Sequence, residues 1–412
     1  MQNLKIWSYI SFPWLVFTMI FFVGFFSLAF LTQIDNAFLS SNYLLSLFVN
    51  TILLSIGSAI FSTLIAVPLA ILVTFYKFPG QKFFSWALSL SLAFPAYVYA
   101  FIFVGIFEYS SPVSEFLREA GIVLPAIKNL FGGSIIMSMA LFPYIFLLTK
   151  AQLSSVGVNI FKAAKSLGDD NLTAIYKVIL PSLKPSIIAG MALVIFETIA
   201  DFGGVSTLRI ETFTVGIYDA WFGYQNYFSA ARLSGYLLLF VLFIIFMSKY
   251  FQTDSNSLAS KTAENFEGIK LSKFRQYLLM GLCSLIFILV FCIPLLQLLF
   301  WHIDSLKFDL IENINLLLNS LILGIICSLL TVFFAVSLAL SYRESKRLRP
   351  IISISSSGYS IPGSVIAAGL LVVFSYFFDV SITLYGIFGL LICLSIRFMT
   401  PAFNYVSSSL SN

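Results

Sequence analysis

The chain has 412 residues, of which 59% are hydrophobic and only 10% are charged, and its formal net charge is +5. Soluble proteins carry about 25% charged residues, so a chain this apolar cannot bury its surface in a single globule in water. Composition therefore excludes a soluble domain. It predicts an all-α, polytopic helical membrane protein, because backbone groups in lipid must be hydrogen-bonded within helices.

Apolar runs near the ~20 residues needed to cross a bilayer follow one another along the chain. They fall at 10–31, 45–75, 84–107, 131–149, 186–205, 233–248, 277–301, 315–341, 351–377 and 384–403. The sequence therefore predicts about ten transmembrane helices. No small-residue cleavage site follows the first run, so we interpret it as a retained helix and not as a signal peptide.

The distribution of basic residues predicts the orientation of these helices. With the N-terminus on the cytoplasmic side, the inner segments carry 18 of the 23 lysines and arginines. Cytoplasmic loops are enriched in basic residues, so this excess predicts a cytoplasmic N-terminus. The positive net charge is then explained by loops that face anionic lipid, and no nucleic-acid partner is expected.

Two parts of the chain resemble each other. The stretch "NTILLSIGSAIFSTLIAVPLAI" from Asn50 matches "NSLILGIICSLLTVFFAVSLAL" from Asn319, 269 residues later. "LAFPAYVYA" around Pro95 matches "YSIPGSVIA" around Pro362. This order predicts two homologous halves. We expect a first half of six helices at 1–250, a cytoplasmic linker at 251–275 and a second half of about four helices at 276–412.

A polar, lysine-containing stretch at 159–185 lies between two predicted spans, on the cytoplasmic side. We expect Asn159 to cap a short helix, Gly168 to end it in the left-handed conformation, and the acidic residues after it to begin a second helix. Pro181 and Pro185 should break that helix before the next span. Two interpretations remain open: an amphipathic helix lying on lipid, or a docking element for a partner protein.

This stretch resembles the coupling motif of ABC-transporter permeases of the binding-protein-dependent importer type. The matching pattern is Ala-Ala, three residues, Gly, nine residues, Val-x-Leu-Pro, and its positions are Lys162, Ala163, Ala164, Gly168, Val178, Leu180 and Pro181. The family pattern usually begins with Glu, whereas this chain has Lys162. The resemblance implies that the loop docks into a cytoplasmic ATPase, which drives alternating access.

Residues 196–242 are similar to the corresponding part of iron(III)-type permeases, which fuse two permease halves in one chain. The resemblance implies a permease subunit for ferric iron in the bacterial inner membrane. Its expected partners are a cytoplasmic ABC ATPase dimer, a periplasmic substrate-binding protein and membrane lipid. The chain itself should bind no cofactor, because the partner subunit uses the ATP. The counterpart of Phe161 would fall beyond Asn412, so we expect the second half to lack its coupling loop.

Glu197 and Asp201 lie four residues apart in an apolar run, and this spacing predicts that they share a helical face. Ionisable groups at membrane depth usually face a pathway, and carboxylates suit a hard cation. We therefore expect both residues to line the translocation path. Alternatively, Asp201 marks the outer end of the span and Glu197 bonds to a neighbouring helix.

Other functions remain open from sequence alone. Thiamine or another small solute could be the substrate of an ABC permease, and an ion-coupled secondary transporter could use Glu197 and Asp201 as coupling carboxylates. The chain contains no Gly-x4-Gly-Lys-Ser/Thr phosphate loop, so we assign ATP hydrolysis to another polypeptide. We expect neither a catalytic nor a metal site, and therefore a transport subunit and not an enzyme.

Overall fold

The computed structural model describes residues 2–31, 40–251, 268–304, 310–378 and 382–411. The predicted linker at 251–275 therefore lies largely outside the described residues. The described part of the chain is almost entirely helical. Its α-helices up to the linker are α1 (Gln2–Leu31), α2 (Ser41–Phe75), α3 (Gln81–Ala87), α4 (Ala96–Phe107), α5 (Pro112–Glu119), α6 (Leu130–Gln152), α7 (Val158–Ser166), α8 (Asn171–Ala174), α9 (Leu180–Ser182), α10 (Lys184–Ala200), α11 (Gly203–Thr207), α12 (Phe213–Tyr218) and α13 (Tyr227–Phe251).

The remaining α-helices are α14 (Lys273–Phe287), α15 (Ile293–Asp304), α16 (Leu310–Glu344), α17 (Arg349–Ser355), α18 (Gly363–Phe378) and α19 (Ile382–Ser411). Two short parallel strands, β1 (Tyr76–Lys77) and β2 (Ile269–Lys270), pair with each other. Helical turns of the π type occur at Leu153–Gly157, Ile175–Ile179, Asp219–Gly223 and Ile288–Cys292, and 3₁₀ turns at Leu88–Ala93 and Gly358–Ser360.

Among the described residues, eight helices are long and apolar enough to cross a membrane, or nine if a bent pair at Asn171–Ala200 counts as one span. This confirms a polytopic helical membrane protein. If the bent pair is counted as one span, the predicted span at 351–377 is the one of the ten that is missing. It is broken into α17 and α18 by the 3₁₀ turn at Gly358–Ser360, and Pro362 follows that turn directly.

The stretches that resemble each other in sequence also share local structure. Helices α2 and α16 are both 35 residues long, and both of their ends are 269 positions apart. In each half a 3₁₀ turn and one extended residue precede a proline, Pro95 or Pro362, and a helix begins at the next residue. Both prolines stand at helix starts, where the missing N–H costs no hydrogen bond.

One compact unit is built from described residues 2–31, 40–45, 213–243, 310–378 and 382–411. In it α1 packs against α16, α17 and α18. The indole of Trp14 stacks on Phe334 at 4.5 Å between ring centroids. Buried hydroxyls join the same helices, since Ser11 and Ser341 are hydrogen-bonded at 2.9 Å. Such contacts suit membrane helices, which associate by packing and by interhelical hydrogen bonds.

The other compact unit is built from described residues 46–212, 244–251 and 268–304. At its centre α6 packs against α10, and a Cβ atom on Gly190 would lie 2.8 Å from Ile145 Cα. Here glycine is required for the close approach of two backbones. The fully buried Tyr99 donates a hydrogen bond to the Val290 carbonyl oxygen at 2.5 Å and so joins α4 to the π turn after α14.

These units interleave the two repeats along the chain. The first helix of the first repeat, α1, belongs to the unit with α16–α19, whereas α14 and α15 belong to the unit with α2–α10. The boundaries 1–250, 251–275 and 276–412 remain a prediction about the repeats in the sequence.

Candidate coupling segment and carboxylates

The predicted docking element begins as the continuation of a membrane helix. Helix α6 passes through the π turn at Leu153–Gly157 directly into α7, without a break in helical backbone. The prediction that Asn159 caps a helix is therefore wrong. Asn159 lies inside the first turn of α7, where no free helix N-terminus exists to be capped.

The first arm of this element ends at Gly168, as the sequence predicts. Gly168 has φ +97°, in the left-handed region. Its N–H donates to the Lys165 carbonyl at 3.1 Å, and the Asp169 N–H donates to the Ala164 carbonyl at 3.2 Å. This pair of bonds is the Schellman motif, in which a glycine satisfies the last carbonyls of a helix.

The second arm starts at a side-chain cap. Asp170 Oδ1 accepts a hydrogen bond from the Thr173 N–H at 3.1 Å. Bonds from Thr173, through its side chain and its backbone N–H, hold the pKa of the Asp170 carboxyl below its usual value. Helical backbone then runs from Asn171 to Ser182, and the chain bends by 58° before α10.

The proline prediction in this arm is half right. Pro181 does not break the helix, because it stands in the first turn of α9, directly after the π turn at Ile175–Ile179. The bend occurs at Leu183, and Pro185 occupies the start of α10. We name Val158–Ser182 the coupling segment.

The coupling segment is anchored to its own unit on one side. Phe161 is 3% exposed, and its ring lies 4.9 Å from that of Phe75, at the end of α2. Gln152 Nε2 donates to the Ser182 carbonyl at 2.6 Å and ties the two ends of the segment together. Strand β2 pairs with β1 directly after Phe75. Sequence patterns gave no signal for the contacts of Phe161 and Gln152, because both join positions that are distant in the chain.

The other side of the segment is exposed. Leu167 is 87% exposed, Leu172 61% and Tyr176 67%, although all three are large apolar or aromatic side chains. Lys162, Ala163, Gly168 and Pro181 of the predicted motif are also exposed, Val178 and Leu180 are half-buried, and Ala164 is buried. An exposed tip with apolar side chains and basic neighbours fits both interpretations made from the sequence, a docking surface for a protein and a helix lying on lipid.

The two candidate carboxylates do not share a helical face. Glu197 lies in α10, but this helix ends at Ala200 and Asp201 adopts an extended conformation. Asp201 Oδ2 accepts hydrogen bonds from the N–H groups of Gly204 at 2.8 Å and Val205 at 3.1 Å. The carboxylate thus stabilises the first turn of α11.

Of the two carboxylates, Glu197 is the one within a membrane helix, and its side chain is half-buried. Within the described part of the chain, no group of three or more His, Cys, Asp or Glu side chains is placed to hold a metal ion.

Comparison with known proteins gives one family. The model described as "Binding-protein-dependent transport system inner membrane component" matches residues 66–253. The Fe(3+)-transport system permease protein FbpB 2 of Haemophilus influenzae is 29% identical over 331 residues, covering 78% of this chain and 62% of that protein. The sulfate transport system permease protein CysT of Salmonella typhimurium is 27% identical over 155 residues, covering 38% of this chain and 55% of that protein.

The chain therefore spans less than two thirds of the length of these relatives. The family match contains the whole coupling segment and both candidate carboxylates. This match covers a little under half of the chain, and the eight long apolar helices among the described residues agree with it: the chain is similar to multi-pass inner-membrane components of binding-protein-dependent transport systems.

Proposed function

We propose that the chain is the transmembrane permease subunit of an ABC importer that moves ferric iron across the bacterial inner membrane. A separate cytoplasmic ATPase dimer supplies the energy, and a periplasmic protein delivers the substrate. The N-terminus lies in the cytoplasm, and the chain itself binds no cofactor. The exposed tip of the coupling segment carries this proposal, and the similarity to FbpB 2 supports iron as the substrate.

The coupling segment is the contact for the ATPase in this mechanism. Leu167, Leu172 and Tyr176 enter a cleft on the ATPase, and Gly168 fixes the angle between the two arms. Lys162 replaces the acidic residue that is usual in the family, so it faces an acidic or polar position on the partner. Ala163 lets the partner approach closely, while Ala164 packs inside.

Movement of the segment is transmitted by continuous backbone. Its first arm continues α6, and its second arm leads through the bend at Leu183 into α10. Because α6 and α10 pack closely at Gly190, a push on the tip displaces them as a pair. The side of the membrane from which Glu197 on α10 can be reached then changes, and the substrate passes beside this residue. Asp201 holds the turn that follows α10.

Sulfate is the second candidate substrate, because CysT proteins match a shorter part of the chain at similar identity. Uptake measurements separate the two substrates directly. In cells that express the full chain with its native ATPase and binding protein, ⁵⁵Fe(III) uptake should depend on this chain, whereas ³⁵S-sulfate uptake should not.

Docking can be tested separately from transport. Leu167→Asp introduces a charge at a site that is 87% exposed and should not disturb folding. We expect affinity-purified Leu167→Asp protein to retain its ATPase about 30-fold less well, the loss typical of a docking residue worth about 2 kcal/mol. Val123→Asp, at a loop site that is 78% exposed outside the segment, is the matched control.

Equal ATPase retention by both variants would show that the segment does not dock. Uptake that continues without ATP hydrolysis and stops when the proton or sodium gradient is collapsed would instead establish an ion-coupled transporter.

A further inference from the structure

An apolar groove of about 460 Å³ lies between α1, α16 and α19 within one compact unit. Its walls are aromatic and aliphatic, and they include Trp14, Phe17, Leu330, Phe334 and Leu391. None of these residues belongs to the coupling segment or to the pair of candidate carboxylates. A cavity of this kind in membrane-spanning helices takes a hydrocarbon ligand, because its walls offer dispersion contacts and few polar partners.

One polar atom in the groove wall has no partner. Trp14 is only 6% exposed, and its indole nitrogen Nε1 has no hydrogen-bond acceptor among the described residues. A buried N–H without an acceptor costs about 1–3 kcal/mol. The ligand of this groove should therefore combine a hydrocarbon part with a carbonyl or ether oxygen.

The groove has the length of one leaflet. On α16 it extends from Ile326 to Phe334, eight residue steps, or about 12 Å at 1.5 Å per residue. Half of a ~30 Å hydrocarbon core is about 15 Å. The groove is therefore about as long as the acyl chain of a lipid within one leaflet.

A basic cluster stands at the end of α16 on the side nearest Trp14. Arg343, Lys346 and Arg347 are exposed, and the Arg349 guanidinium lies 5.2 Å from the centre of the Tyr342 ring. The acidic residue beside them is Glu344, which accepts a hydrogen bond from Ser8 Oγ at 3.0 Å. Ser8 precedes Trp14 by six residues on α1, about 9 Å.

We propose that this groove is a binding site for an anionic phospholipid. One acyl chain fills the groove between α1, α16 and α19. The ester carbonyl of that chain accepts the hydrogen bond from Trp14 Nε1. The phosphate lies about 9 Å nearer the end of α16, among Arg343, Lys346 and Arg347. Clusters of basic residues next to membrane helices bind anionic headgroups in this way.

Native mass spectrometry of the purified, delipidated full chain can measure this site. Dioleoyl phosphatidylglycerol and dioleoyl phosphatidylcholine are added separately as probes. We expect the first lipid to bind roughly tenfold or more tightly than the second, because charge-assisted contacts to phosphate contribute about 1.5–3 kcal/mol.

Two variants test the two parts of the site. Leu330→Phe fills the groove and should weaken both lipids about tenfold, whereas Leu329→Phe, at a neighbouring site that is 67% exposed and outside the groove wall, should not. Lys346→Gln combined with Arg347→Gln should reduce the preference for phosphatidylglycerol several-fold. The exposed pair Lys270→Gln and Arg275→Gln serves as its control.

The proposal is wrong if the two lipids bind equally, or if Leu330→Phe and Leu329→Phe have the same effect. It is also wrong if the groove is covered by a second copy of the chain, which would appear as a lipid-free dimer. Should Leu330→Phe fail to fold, the charge variant still decides, because Lys346 and Arg347 are exposed and their replacement leaves the helix packing intact.

Discussion

Replacing Gly168 by alanine tests whether the left-handed turn shapes the coupling segment. Nothing lies within 4 Å of a Cβ atom built on Gly168, so the substitution creates no steric overlap. The cost is conformational only. A residue other than glycine at φ +97° pays about 1–2 kcal/mol for this backbone conformation.

The expected effect is local. Amide hydrogen exchange at residues 167–169 should accelerate about 5- to 30-fold, the factor that corresponds to 1–2 kcal/mol. The thermal unfolding of the whole chain should change little, because the turn is exposed and opens before the helices of its unit. ATPase retention should fall together with the loss of protection.

The chain contains a matched control. Gly121 also has a positive φ, +78°, and a Cβ atom there would also meet nothing within 4 Å. Gly121→Ala should cost a similar amount in its own loop and leave ATPase retention unchanged. If both variants lose the ATPase equally, or if exchange at 167–169 is unaltered in Gly168→Ala, the reasoning about this turn fails.

Three further predictions concern the anchoring of the segment. Gly190→Val should lower the free energy of unfolding, measured by denaturant titration, by roughly 1–3 kcal/mol, because its side chain meets the backbone at Ile145; the unhindered helical change Gly281→Ala should not. Phe161→Ala removes a buried ring from the contact with Phe75, costs about 3–5 kcal/mol locally, and should speed proteolysis within the segment but not within α2. The pKa of the Asp170 carboxyl is lower in the folded chain than its ordinary value of 3.8, so its cap stabilises the helix above that pH and the stabilisation is lost as the pH falls through the folded pKa. Amide exchange near Thr173 should therefore rise on acidification, and Asp170→Asn should remove this pH dependence.

Local chemistry was predictable from the sequence where a single residue decides the structure. The left-handed turn at Gly168 and the cap at Asp170 follow from residue types alone, and the structure confirms both. The two-half organisation remains a prediction from the order of hydrophobic runs and prolines; the equal lengths of α2 and α16 agree with it.

Other features depend on contacts that no local pattern encodes. Asn159 is a good capping residue, but the helix that precedes it does not end, so its capping ability is unused. Glu197 and Asp201 have helical spacing, but the helix stops between them and the Asp201 carboxylate turns to the next backbone. The packing of α1 in the unit with α16–α19 likewise depends on tertiary contacts that the sequence pattern does not show, since all the spans are similarly apolar.

To transmit movement in the proposed transport cycle, the segment must be firmly packed against its own unit and also exposed to the ATPase. The structure places the packed contacts on its inner face and the exposed side chains on its outer face. A rigid attachment requires that its inner face be packed, and the ring of Phe161 and the bond from Gln152 provide this. Binding of the ATPase requires exposed apolar side chains, and Leu167, Leu172 and Tyr176 are exposed on the outer face. Because the first arm continues α6 as unbroken helix, little of a displacement of that arm can be lost before it reaches α6. Transport should therefore be more sensitive to loosening the inner anchors than to equal changes elsewhere on α6, even when the ATPase still binds.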